Sequence, residues 1–192
     1  MVVLTIVAAF VVLILVALVI GYVVSVYNQL VDLNKRVDQA KQNIDVLLKQ
    51  RQNELTKLVD TAEQFMDQEE QVLIDLTKAR EQAQQAQSPT EQANADQMVR
   101  NAMADFRARA EEYPELRSQE NMMQLQERIT DIESQISDRR EFYNEAVTRY
   151  NTRISQFPYV VLARQMGFAE KELFTVSPEA REDVDIGAAF EE

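Results

Sequence analysis

Three carboxylates come closest to a chemical motif. Glu63, Asp67 and Glu70 fall at i, i+4 and i+7, on one face of a helix. Carboxylates alone in that arrangement hold Mg or Ca weakly. A solvated acidic face shows the same spacing, and no further ligand singles these residues out, so no metal site is expected. The chain has no His and no Cys. That removes the usual general base, the Ser-His and Cys-His pairs, imidazole zinc sites and thiolate nucleophiles. Glycoside hydrolysis needs two carboxylates held in a cleft, and no pair stands out. Gly21, Gly167 and Gly187 are the only glycines, so there is no Gly-rich phosphate loop. The expectation is no catalytic residue, no bound cofactor and no enzymatic activity.

A rarer pattern is Tyr-Asn, which occurs as Tyr27-Asn28, Tyr143-Asn144 and Tyr150-Asn151. Tyr143 and Tyr150 are one heptad apart and share a helix face. A buried tyrosine contributes apolar area but needs a partner for its hydroxyl. Buried amides can fix register between helices. Helix-packing specificity is therefore the main reading, with a ligand or partner surface as the rival.

The elements that carry these residues begin with an uncharged run. From Val2 to Val31 no side chain is charged, and Asp32 is the first ionised group. A helix over residues 2–26 would be about 37 Å long, enough for a hydrocarbon core of roughly 30 Å. A cleaved secretory signal would need a basic leading region and a small-residue cleavage site, and neither is present. The reading is a retained single-pass anchor over residues 1–26, in contact with the lipid bilayer. Tyr22 and Tyr27 fall near its end, at headgroup level. Lys35, Arg36 and Lys41 follow it closely, so the positive-inside rule places the N-terminus outside and the body in the cytoplasm. Ala17, Gly21 and Ser25 form a small-residue stripe through which anchors could pack.

The remaining chain reads as long helices. Tyr27, Leu30, Leu33, Val37, Ala40, Ile44 and Leu47 recur every three or four residues. With no Gly or Pro in between, this helix can continue out of the anchor without a break. The polar stretch Gln50 to Glu54 is the expected first reversal. A second seam runs through Leu55, Leu58, Ala62 and Phe65, then Val72, Leu76, Ala79 and Ala83. Ser88-Pro89-Thr90-Glu91 offers a capping box with Pro at the first helical position. A third helix carries Met98, Ala102, Phe106 and Ala110 and ends near Tyr113-Pro114. The fourth runs from Ser118 to Phe157 through Met122, Leu125, Ile129, Ile132, Ile136, Tyr143, Ala146 and Tyr150, with Arg139 interrupting the seam.

Four amphipathic segments must bury their apolar faces on one another. The fold class is therefore all-α: an N-terminal transmembrane helix followed by an antiparallel four-helix bundle of long helices over residues 27–157. An extended coiled coil is the competitor. In residues 158–192 an apolar stretch comes first. It either returns to the membrane interface or caps the bundle. An acidic tail from residue 175, read as disordered, follows. The net charge is −12, with 32 acids and 20 bases. Residues 27–51 carry net +2 while residues 52–112 carry net −7. The basic end thus lies beside the anchor, where anionic lipids attract it, and the acidic body repels nucleic acid.

Several short motifs together resemble the LemA family. They are Tyr27-Asn28-Gln29-Leu30-Val31-Asp32-Leu33 with Val37, Ala40, Ile44-Asp45-Val46, Leu48 and Arg51; Tyr113-Pro114-Glu115-Leu116; and Arg139, Phe142-Tyr143-Asn144, Val147, Tyr150-Asn151, Ile154 and Phe157-Pro158. Gly167-Phe168 and Phe174 complete the set. The likeness covers nearly the whole chain. Relatives often open the second helix with Ile-Pro-Asn, whereas Asn53 to Leu58 here contain no proline. Met122-Met123 stand near a usual aromatic. The resemblance implies a single-pass membrane protein with a four-helix bundle and no known enzymatic activity. It also implies links to membrane organisation or membrane-protein quality control, since some relatives neighbour membrane peptidases and others occur with magnetosome membranes. The expected role is a membrane-anchored scaffold that forms a homo-oligomer or docks another membrane protein, such as a membrane peptidase. A sensor or adaptor that binds a ligand or partner on the bundle is the alternative.

Overall fold

The structure, a computed structural model, describes residues 1–66, 70–117 and 119–175. Those residues are all-helical, with no strand among them. The elements in chain order are α1 (Val2–Ala62), α2 (Glu70–Gln85), α3 (Pro89–Ala110), α4 (Pro114–Arg117), α5 (Glu120–Ser155) and α6 (Tyr159–Gln165). The acidic tail expected to be disordered lies, from residue 176 on, outside the described residues, as do Asp67 and Ser118.

The apolar run and the first soluble seam are one helix of 61 residues. Nothing in the chemistry breaks it, because no Gly or Pro occurs between Gly21 and Pro89. The expected reversal at Gln50 to Glu54 is therefore wrong. The polar stretch is helical throughout, and its Arg51 is a buried seam residue. The seam continues through Leu55, Leu58, Val59 and Ala62, all buried. The helix ends there, and a single turn follows. The Phe65 and Met66 amides both bond back to the Ala62 carbonyl, at 2.9 and 3.0 Å, and Met66 is fully buried.

The other ends follow local chemistry. Ser88 caps α3: its hydroxyl accepts from the Glu91 amide at 3.1 Å, and the Glu91 carboxylate accepts from the Ser88 amide at 3.2 Å. Pro89 occupies the first turn, where its missing N–H costs nothing. The amide bonds from Gln87 and Ser88 hold the Glu91 carboxyl below its ordinary pKa. Pro114 opens the short α4 after α3 has ended. Gly167, with φ of 76°, lets the Phe168 amide reach the Ala163 carbonyl at 3.0 Å and closes α6.

The chain divides into two compact units. The first comprises Met1–Gln39 and Glu145–Lys171. In it Val26, Leu30 and Val37 of α1 are buried, as are Val147, Tyr150, Ile154 and Ala163. Polar contacts join α1 to the later chain, with the Tyr159 hydroxyl donating to Gln29 Oε1 at 3.2 Å and Lys171 pairing with Asp38 at 2.7 Å. The Tyr27 and Phe168 rings lie 6.2 Å apart.

The second unit comprises Ala40–Asn144 and Glu172–Glu192. Its core draws on every helix that enters it: Leu55, Leu58 and Ala62 from α1, Leu73 and Leu76 from α2, Val99, Met103 and Phe106 from α3, Leu116 from α4, and Met122, Leu125 and Ile129 from α5. Leu58 is fully buried there. Leu58→Ala should cost about 2–5 kcal/mol, through lost transfer energy and the cavity left behind. Denaturant unfolding of the detergent-solubilised chain would measure it, and a change within error of zero would mean that this core is not formed.

Candidate functional site

The first functional surface is α1 itself. The large apolar residues from Val2 to Val24 are almost all exposed, for example Leu4 at 76% and Phe10 at 64%. Its most apolar window has a mean hydropathy of 3.4, with none of it buried by the protein. By length and composition this helix can cross a membrane. At Gly21 an added Cβ would meet no atom within 4 Å, so the face bearing Ala17, Gly21 and Ser25 is open. Tyr22 and Tyr27 are about half exposed near the end of the run.

The Tyr-Asn motifs do something the sequence did not show. In the first unit, Asn151 reads the backbone of Lys171 from both sides. Its Nδ2 donates to the Lys171 carbonyl at 2.8 Å, and its Oδ1 accepts from the Lys171 amide at 2.9 Å. Beside it Tyr150 is buried, with the Lys171 ammonium 5.9 Å from its ring centroid. Burial, then the nearby Asp38 carboxylate, pushes the Tyr150 hydroxyl pKa up.

The second unit repeats the device. Asn144 Nδ2 donates to the Phe174 carbonyl at 3.0 Å and Oδ1 accepts from its amide at 2.8 Å, while the Tyr143 hydroxyl donates to the Glu172 carbonyl at 2.9 Å. Phe174 is buried, edge-on to Tyr143 at 4.9 Å, with the Arg140 guanidinium 5.1 Å from its ring centroid. Each amide thus acts as a surrogate strand partner for non-helical chain. Helix register, the expected role, is not what these two amides fix. Tyr27-Asn28 differs, since Tyr27 packs against a ring, that of Phe168.

The second unit also encloses a charged centre that periodicity did not reveal. Asp96 of α3 is buried and paired with Arg51 of α1, Arg100 of α3 and Arg140 of α5, the last at 2.7 Å. Arg140 also donates to the Gln92 carbonyl at 3.2 Å. Arg51 is as deeply buried as Asp96. Arg140, not Arg139, occupies the seam between Ile136 and Tyr143. Arg139 is exposed and lies against the Phe142 ring. The seam is therefore continuous but carries a charge at one step.

Burial raises the Asp96 pKa, but Arg51, Arg140 and Arg100 outweigh it and hold the carboxyl below its ordinary value. Burial lowers the Arg140 pKa, and the Asp96 charge opposes that. Glu133 is half-buried, and burial raises its pKa although Arg51 and Arg107 pull the other way. Its Oε1 has no hydrogen-bond partner among the described residues. Charges so placed hold helices together, because a buried guanidinium without its carboxylate is costly. Of the acidic triplet, Glu63 is exposed just after α1, Asp67 is outside the described residues, and the Glu70 side chain is not described.

Two outcomes follow from these contacts. Asp96→Asn should destabilise the chain by about 3–5 kcal/mol, because three guanidinium groups lose their counter-charge. The native chain binds fewer protons at Asp96 than the unfolded chain, so this contribution is full above the ordinary carboxyl pKa near 3.8 and is lost as pH falls through the lower folded value. Unfolding midpoints followed from pH 6 to pH 2 would show that loss, reduced in Asp96→Asn. Separately, Asn144→Ala should speed amide exchange at Phe174 by about tenfold, the equivalent of about one hydrogen bond. Mass-resolved hydrogen exchange reads it, and an unchanged rate would remove the clamp.

Comparison with known proteins adds to this geometry. The chain is 33% identical over 84 residues to magnetosome proteins MamQ 1 and MamQ 2 of Paramagnetospirillum magneticum, covering 44% of this chain and 31% of each relative. It is 31% identical over the same length to magnetosome protein MamQ of Magnetospirillum gryphiswaldense. The chain thus spans about a third of the length of the curated relatives it matches. The LemA family model matches residues 40–187. That stretch holds the charged centre, both backbone-reading asparagines and α6, and by this match the chain belongs to the LemA family.

Proposed function

We propose that the protein is a membrane-anchored helical scaffold that self-associates or docks other membrane proteins and carries out no catalysis. The observation that carries this reading is α1. One helix presents uncovered apolar side chains over its first 24 residues and buried seam residues over the rest. Hydrocarbon is the environment that suits the first part, since the exposed apolar area there is far larger than soluble monomers carry. In this reading residues 1–26 are the anchor, although Val26 is already covered by protein. The seams of α1, α2, α3 and α5 form an antiparallel four-helix bundle. Lys35, Arg36 and Lys41 lie on the cytoplasmic side, with the N-terminus outside.

A specific feature also supports the adaptor reading. A cleft of about 310 Å³ in the second unit has Ala110, Leu116, Met122 and Met123 with Arg107, Glu111 and Gln126 around it. Apolar walls with a few polar groups suit a small ligand. Native mass spectrometry of gently extracted protein would show such a ligand as a retained mass.

Chemical crosslinking in native membranes tests the scaffold. The expected result is a discrete adduct, either a multiple of the chain or the chain with one partner. A strictly monomeric, partnerless chain under efficient crosslinking would refute the scaffold.

A further inference from the structure

In the first unit, outside α1, the exposed large apolar residues are Phe157, Val161 and Met166. All three fall on α6 or its immediate flanks. Phe157 is 83% exposed and Val161 60%. The opposite side of α6 is occupied, because Ala163 is buried.

The level of α6 along α1 is set by two contacts. Phe168, just past α6, packs on Tyr27, and the Tyr159 hydroxyl bonds to Gln29. The exposed apolar run ends at Val24. Tyr27 and Gln29 lie about 4.5 and 7.5 Å further along the helix axis. The headgroup layer on each face of a bilayer is roughly 5–7 Å deep beyond the hydrocarbon. So α6 is tied to α1 in the outer part of the headgroup layer. Arg164 of α6 is exposed and has no ion pair among the described residues. Arg153 lies over the Tyr159 ring at 4.7 Å. Exposed Phe157 and Val161 beside the bases Arg153 and Arg164, at that depth, match an interfacial helix on anionic lipid.

We infer that α6 with Phe157 is a second membrane contact, a foot that seats Phe157 and Val161 in the headgroup layer of the leaflet where α1 emerges. The inference rests on α1 being a membrane anchor. The foot restrains α1 at two points, so the first unit meets the bilayer through a surface and not through a single pivot.

The chain has no Trp, so a single introduced indole reports its own surroundings. Phe157→Trp and Val161→Trp, each in the full chain, would be reconstituted into phosphatidylcholine–phosphatidylglycerol vesicles. Some of the lipids would carry bromine high on the acyl chain, near the glycerol. Leu15→Trp, in the middle of the span, reports the anchor. Gln39→Trp, exposed on α1 about 22 Å beyond Val24, reports water. The expected result is blue-shifted emission and at least about twofold quenching for Phe157→Trp and Val161→Trp, with Gln39→Trp unquenched. Hydrated, unquenched emission from both α6 probes, with Leu15→Trp in hydrocarbon, would overturn the foot and leave the anchor intact. Leu15→Trp in water would overturn the anchor and the foot with it.

Discussion

A peptide backbone in hydrocarbon has to satisfy its own hydrogen bonds, and a helix does so within one segment. α1 is long and apolar enough to meet that requirement, and no Gly or Pro interrupts it where the apolar run gives way to the charged seam. No Gly or Pro intervenes before Pro89. The backbone therefore stays helical from Val2 to Ala62, and only the side chains change. Up to Val24 they are apolar and uncovered. From Val26 a seam at three- and four-residue steps is buried through Leu30, Val37, Ile44, Leu55 and Ala62. One continuous helix thus carries an uncovered apolar part, long enough to cross a membrane, and a part whose seam is buried by protein.

Polar groups fix the packing within each unit. Hydrophobic burial alone is non-directional, and seams of Leu, Ile and Ala can slide by a turn with little loss. The Asp96 centre cannot. Arg51 and Arg140 reach a single carboxylate from α1 and α5, and a shift of one turn in either would strand a buried charge. Asn144 and Asn151 impose a similar demand on non-helical chain, where each amide pairs with both backbone groups of one residue. That arrangement satisfies buried main-chain groups of a segment that has no strand partner.

Much of this was legible in the residues. The uncharged N-terminal run, the Ser88–Glu91 cap and the Pro114 boundary each rest on local chemistry, and local chemistry survives tertiary packing. The resemblance to LemA proteins rested on several short motifs together and agrees with the family match. The first reversal was not legible. Polar Gln50 to Glu54 looked like a surface loop, but periodicity counts only apolar residues, so a buried arginine reads as a gap. The same blindness put Arg139 in the seam in place of Arg140. Asp96 sits among Gln and Ala residues with no local sign of burial, and its partners Arg51 and Arg140 are 45 and 44 residues away. The Tyr-Asn repeats stood out, but their partners, Lys171 and Phe174, carry the contact through backbone atoms, which have no sequence signature.

A membrane-anchored scaffold requires the apolar part of α1 to remain in the bilayer as part of the mature chain. The most direct measurement is alkaline extraction of native membranes followed by the intact mass of the protein in each fraction. The account predicts the full-length mass in the membrane pellet, resistant to high pH. Release into the supernatant, or a mass lacking the first two dozen residues, would contradict it.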